Sequence, residues 1–353
     1  MFDLLVLVGR LLADVGQRRN QTQGATLRQP TRRAVVLGSL RGAGAIAAAT
    51  VLAGAAPALA SVPSTPPARL PDPPQDVTHA TPLLVQRVNN LFRDKTARNV
   101  DGFLSHFSQN PLYYTDATLG WYVPSWTALK ATFAQYMPTW PDTARSYATR
   151  IIGDENSAIV EFVDSPELFG HEIRAIAAVD FRNGLIVREV DYWDGRHFGI
   201  AAVNALRTPD AQFPTTYGEE YLAECSSPAL RQVLDRLRAA LAAGDTTGLF
   251  AEDAIFEDLA LHTEFAGALA INAYVSRAYT RLPYGVGTTV RRTLGSGRGG
   301  GYEWIGNGFS SSHGIIAIEL DAAGRITRFT AAWDASRLDA TAVTTLLADT
   351  LEH

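Results

Sequence analysis

The sequence predicts an α+β protein: two tandem cone-shaped domains, each a curved antiparallel sheet wrapped around helices. Three observations predict it. The run from about 80 to 200 reads helix, helix, short strand, helix, then a meander of long strands. The same order returns after 225. Two landmarks repeat at nearly one spacing, since Asp116 to Asp258 is 142 residues and Trp193 to Trp333 is 140.

The chain opens differently. Residues 31–38, "TRRAVVLG", place Arg32 and Arg33 before an Ala/Gly-rich run ending Ala58-Leu59-Ala60. A twin arginine, a mildly apolar stretch and a small-x-small end predict an export signal over 1–60. Residues 61–79 are proline-rich and polar, the composition of an extended linker. The expected location is therefore periplasmic or secreted.

The first domain is expected over 80–200. "PLLVQRVNNLFRDKTA" and "VDGFLSHFS" space their apolar residues as helices do. "PLYYTDATLG" reads as a short strand and turn. "SWTALKATFAQYM" is a third helix with Ser125 as N-cap. "ARSYATRIIG", "SAIVEFVD", "HEIRAIAAVDF" and "LIVREVDYWD" are strands, the last two joined by "RNG", a hairpin signal. Residues 201–224 are expected to link the domains. The second domain, 225–353, repeats the pattern and adds a C-terminal helix. In both copies a tryptophan follows the turn glycine by nine: Gly184 to Trp193 and Gly324 to Trp333. "GSGRGGG" (295–301) is expected as a hairpin loop, having neither the helix nor the lysine of a phosphate cradle.

Composition narrows the partners. Without residues 1–60, 24 basic and 34 acidic residues remain of 31 and 36. That balance argues against nucleic acid and anionic lipid. A single cysteine, Cys225, rules out an internal disulfide and has no histidine nearby in sequence to activate it. No metal-ligand spacing and no dinucleotide fingerprint is found, so neither metal nor cofactor is expected.

Strand alternation sorts "REVDYWDG": Glu189, Asp191 and Trp193 on one face, Val190, Tyr192 and Asp194 on the other. "RNGLIVREVDYWDGRHF" and "YYTDATLG" carry a resemblance. Each copy resembles a nuclear transport factor two-like domain, the cone shared by ketosteroid isomerases, polyketide cyclases and limonene epoxide hydrolases. The resemblance implies that Asp191 points into the cone, Tyr192 packs on a second sheet, and Asp194 serves the strand end. It sets Tyr114 and Asp116 where the epoxide hydrolases carry the Tyr and Asn that hold a water, with Asp191 as its base. The isomerases' general base falls on Asp116. Trp193, His171, Trp121, Phe92, Ile173 and Phe198, with Phe133, are the expected pocket lining for a small apolar molecule.

Departures matter. Phe162 stands where the hydrolases have arginine, and Asp164, opening "DSPE", reads as a turn residue although it could serve as the acid. Phe92 and Ile176 stand where the isomerases have their oxyanion-stabilising Tyr and Asp, so that hole is missing. In the second copy Tyr114 becomes Phe256 and Asp191 becomes Ala331, while Asp258 and Trp333 persist. The expectation is a cofactor-independent acid–base enzyme, of epoxide hydrolase or isomerase/cyclase type, in the N-terminal cone. The second cone packs on it as an intramolecular pseudo-dimer. A non-catalytic binding protein of the same fold is the alternative.

Overall fold

The computed structural model describes residues 74–306 and 312–351, so the expected export signal and most of the proline-rich stretch lie outside the described residues. In the first domain α1 spans Pro82–Thr96 and α2 Val100–Ser105. Thr81 caps α1 through its side chain, with Pro82 at the first helical position, where its missing N–H costs nothing. Leu84, Val88, Leu91 and Phe92 form the buried stripe of that helix. Strands β1 (Tyr113–Asp116) and β2 (Trp121–Val123) precede α3 (Trp126–Tyr136), whose N-cap Ser125 accepts from the Ala128 amide at 3.2 Å. The meander follows as β3 (Ser146–Gly153), β4 (Ser157–Asp164), β5 (Ile173–Arg182) and β6 (Leu185–Trp193), with a one-turn α4 (Pro166–Phe169) after β4. The two-residue turn Asn183-Gly184 joins β5 to β6 with φ of 53° and 82°, the left-handed pair that suits strand twist.

The sheet order is β2-β1-β6-β5-β4-β3. It is mixed rather than wholly antiparallel, because β1 lies parallel to β6. The second domain repeats this with α7 (Pro228–Ala243), β7 (Phe250–Asp258), β8 (Thr263–Ala266), α8 (Ala268–Ala278), β9 (Thr289–Ser296), β10 (Gly299–Ile305), β11 (His313–Leu320) and β12 (Ile326–Trp333). Its order is β8-β7-β12-β11-β10-β9, and helix Ala340–Asp349 closes the chain.

Two segments are more structured than their composition predicts. Asp76 and Ala80 bridge to Arg150 and Gly153, so the end of the proline-rich stretch runs along β3. After α5 (Gly195–Phe198) ends the first domain, α6 (Ile200–Leu206) runs into the inter-domain stretch, which buries Val203, Leu206, Phe213 and Tyr217. Its sparse hydrophobics act singly, which is why periodicity misses them. "GSGRGGG" is a hairpin, but only Gly297 and Arg298 form the turn; the other glycines are strand residues. A Cβ on Gly301 would meet Ile159 Cδ1 at 2.6 Å, so glycine there permits one sheet to approach the other.

The outer faces of the two sheets meet. Ile152, Ile159, Ile176, Val190 and Tyr192 form one buried cluster with Leu294, Ile315, Ala317 and Ala332. Arg188, fully buried, donates to Glu303 at 2.8 Å and to Asp180 at 3.4 Å. Arg292 donates to Asp180 at 2.8 Å, and Tyr192 Oη to Glu303 at 2.8 Å. The turns after the last strands exchange bonds. Asp194 accepts from the Ala335 amide at 2.9 Å, and Asp334 accepts from the Gly195 amide at 3.1 Å.

Candidate active site

The cavity lies inside the first cone, between its sheet, α1, α3 and α6. Its space for the centres of water molecules is about 90 Å3. Trp121, Phe133, Tyr136, Phe169, Phe198 and Leu206 make much of its apolar wall. The polar atoms come from Lys95, Tyr114, Asp116, Asp164 and Asp191.

β1 supplies Tyr114 and Asp116 because alternate strand residues share a face. The parallel ladder sets Asp116 directly beside Asp191 of β6, one strand spacing of about 4.8 Å away. Tyr114 Oη donates to Asp191 Oδ2 at 2.8 Å. Asp191 Oδ1 is buried and takes no hydrogen bond from the described residues. Asp116 Oδ2 accepts from Trp193 Nε1 at 3.0 Å, and its Oδ1 accepts from the Leu119 amide at 2.9 Å. The second bond ties the carboxyl to the turn that follows β1.

Burial dominates the proton affinities. It raises Asp116 to about 7, against the lowering effect of the Leu119 amide, and neighbouring Asp191 raises it further. Burial raises Asp191 to about 6, while Lys95 and the Tyr114 hydroxyl restrain the rise. Glu189, two residues earlier on the same face, is pushed well up by burial and then by Asp191. Its side chain faces a separate, smaller cavity under α1, beside His106 and Val88.

Of the expected residues, Tyr114, Asp116, Asp191, Trp193, Trp121, Ile173, Phe133 and Phe198 line the one cavity. Two do not. His171 is exposed, its ring 5.1 Å from Phe198 on the outside, because the chain has left the sheet at the α4 turn. Phe92 packs on Phe162 at 5.4 Å and borders the smaller cavity under α1. Asp164 is also not a plain turn residue. It ends β4 facing the cavity, where Lys95 Nζ donates to both its oxygens at 3.0 Å and Ser146 Oγ donates to Oδ1. Asp194 does serve the strand end, capping α5 through the amides of Arg196 and His197. The sequence reading missed Lys95, whose position at the end of an amphipathic helix looks like a solvated terminus. It also missed Leu206, in the presumed linker. Pairing "DKT" with "VDSP" across the cone would have been the signal for the lysine.

In the second cone Asp258 is buried and has a full complement of partners. It accepts from the Ala260 and Leu261 amides at 3.0 Å, Tyr284 Oη at 2.9 Å and Trp333 Nε1 at 3.1 Å. Phe256 stacks on Phe329 with ring centroids 4.2 Å apart. Among the described residues no cluster of His, Cys, Asp and Glu could hold a metal ion.

No protein-family profile matches the chain, and no curated protein is similar to it. Solved structures do match. One is a nuclear transport factor two-like protein of unknown function from Burkholderia xenovorans, 17% identical over 40% of this chain and 95% of its own, TM-score 0.27. A SnoaL-like protein of unknown function from Burkholderia thailandensis is 12% identical over 32% of this chain and 96% of its own, TM-score 0.28. A steroid delta-isomerase from Pseudomonas aeruginosa is 20% identical over 36% of this chain and 93% of its own, TM-score 0.27. At these scores the likeness assigns no activity, and the fold stands on the two sheets described above.

Proposed function

We propose that the N-terminal cone is a cofactor-independent acid–base site that moves protons on a small apolar carbonyl compound, in the manner of an isomerase or cyclase. The observation that carries this reading is the direct register of Asp116 and Asp191 on adjoining parallel strands, both facing one apolar cavity. Between about pH 6 and 7 the pair offers one carboxylate and one carboxylic acid. Asp191 takes a proton from the carbon next to the carbonyl, and an enolate forms. Asp116 returns a proton to the same face of the extended enolate. A proton then passes from Asp191 to its neighbour, restoring both. Tyr114 fixes the angle of the Asp191 carboxylate throughout. With the twin-arginine segment, the reading is of an exported enzyme.

Epoxide hydrolysis is the second reading, favoured by the Tyr114–Asp191 hydrogen bond, which suits a base that holds water. It fits less well. Backside opening needs an acid besides the base, and Asp164, two strands from Asp191 in the same sheet, accepts hydrogen bonds at both oxygens. A β,γ-unsaturated ketone and a cyclic terpene epoxide separate the two: conjugation is read by ultraviolet absorbance, diol formation by chromatography. Asp191→Asn is expected to abolish conjugation while retaining ligand. Full turnover in both Asp191→Asn and Asp116→Asn would overturn the mechanism, and retained binding without any wild-type turnover would leave a binding protein.

A further inference from the structure

The proton-transfer reading leaves one charged pair in the cavity unused. Lys95 Nζ sits inside the cone, held by Asp164 and lying over the rings of Phe162 at 5.1 Å and Phe92 at 5.8 Å. Burying an ion pair beside aromatic walls is costly, and apolar residues would serve stability as well or better. The second cone makes that replacement. Leu241 lies as far beyond its N-cap Ser227 as Lys95 lies beyond Thr81, and it is fully buried. The sheet registers set Gly306 opposite the place of Asp164, since Trp304 faces Gly314 as Phe162 faces Ala175. The cone that lost Tyr114 and Asp191 therefore lost this pair too, so the pair goes with the site rather than with the fold.

An ammonium has three N–H donors. Two point to the Asp164 oxygens, and Lys95 has no other hydrogen-bond acceptor among the described residues. The remaining donor is available to the cavity that Lys95 lines. Asp191 and Glu189 lie within electrostatic reach of it, and Asp116 and Asp164 face the same space.

We infer that Lys95 receives a substrate oxygen and stabilises the negative charge that grows on it, so that the ligand is a small carbonyl compound bound with its oxygen toward Lys95. This rests on the proton-transfer reading. It supplies the oxyanion donor that Phe92 and Ile176 cannot, at a different place on the wall. Asp164 orients the ammonium and, as a competing acceptor, weakens its grip on the ligand. A carbonyl oxygen that becomes an enolate gains charge and shortens its hydrogen bond to Lys95, so the contact strengthens as the reaction proceeds.

The test uses para-nitrophenolate, an enolate-like anion followed by its yellow absorbance, with para-nitroanisole as a neutral probe of the same shape. Both are titrated into the full chain carrying Asp191→Asn, where an amide stands for the base after it has taken its proton. Adding Lys95→Met is expected to weaken phenolate about tenfold or more and leave the anisole unchanged. Adding Asp164→Asn instead is expected to tighten phenolate, because the ammonium is freed. A purely structural ion pair predicts the opposite for Asp164→Asn. Phenolate affinity unmoved by Lys95→Met, or reduced by Asp164→Asn while the anisole is still held, overturns the inference. If Lys95→Met does not fold, the sign of the Asp164→Asn effect decides alone. These titrations involve no turnover. Phenolate results as expected with a failed turnover test would keep Lys95 as an anion subsite and remove only the proton-transfer reading.

Discussion

The two cones share one architecture and differ in how they treat the same aspartate. Asp116 has two hydrogen-bond donors and an open cavity beside it; Asp258 is fully buried and has four donors. Burial raises both, Asp116 to about 7 and Asp258 to about 6. Hydrogen bonds restrain the rise at both, and a neighbouring carboxylate, Asp191, adds to it at Asp116. Around Asp258 the other polar positions have gone apolar: Phe256 for Tyr114, Phe329 for Glu189, Ala331 for Asp191 and Leu241 for Lys95. The Phe256–Phe329 pair stacks where the first cone sets Tyr114 beside Glu189. The contrast teaches that the fold needs only the aspartate that ties the turn after the first strand to the last tryptophan. The remaining polar groups of the first cone are dispensable to the architecture, which leaves them to the proposed chemistry.

Four measurements break or sharpen this contrast. The largest effect is expected from Asp191→Asn, a loss of turnover of roughly a thousandfold or more. The mirror change Ala331→Asp should confer no turnover and should destabilise, since it places a carboxyl at a fully buried apolar position. Detectable turnover from Ala331→Asp would break the contrast. Next come the paired aspartates. Asp258→Ala strips four donors of their acceptor and should cost about 3 kcal/mol in urea unfolding. Asp116→Asn keeps an oxygen for one of its two donors and should cost about 1–2 kcal/mol at pH 4, and less at pH 8, where it also removes the cost of burying an ionised carboxyl.

The third is the pH profile of stability. Asp116 holds its proton more tightly folded than unfolded, so its contribution is intact below about pH 4. It is lost as pH rises toward about 7, the value of the folded carboxyl. Melting temperature should therefore fall less over that range in Asp116→Asn than in the wild type. Smallest is Tyr114→Phe, expected to lower turnover roughly tenfold with little change in stability. It should also shift the acidic limb of the rate profile upward, since the tyrosine hydroxyl restrains the rise of Asp191. An unmoved limb would mean that Tyr114 only fills space.

Much of the fold was legible because it is periodic. Helical spacing, the Asn183-Gly184 turn and alternation along "REVDYWDG" located the elements and told which face of β6 meets the cavity. The tandem repeat was legible because Asp258 and Trp333 are the residues the architecture retains. The parallel pairing of β1 with β6 was not, since nothing local in "YYTD" states which distant strand it joins. Lys95 was hidden because a lysine in a last helical turn is ordinarily a solvated cation, and only the curl of β4 carries Asp164 to it. His171 was misplaced for a related reason: the Gly170 left-handed cap at the end of α4 turns the chain outward before β5 begins. Leu206 and Phe213 were hidden among linker residues whose burial comes from the turn they cover.

The crossed bonds of Asp194 to Ala335 and of Asp334 to Gly195 join two units that share a single polypeptide. A pair of identical separate subunits with the same faces would come apart when diluted, and the pair would carry any substitution twice. Fusion removes the dependence on concentration, because the second face is always present at the first. It also releases the two halves from a common genetic fate, so one can lose its polar interior and support its neighbour, which retains one.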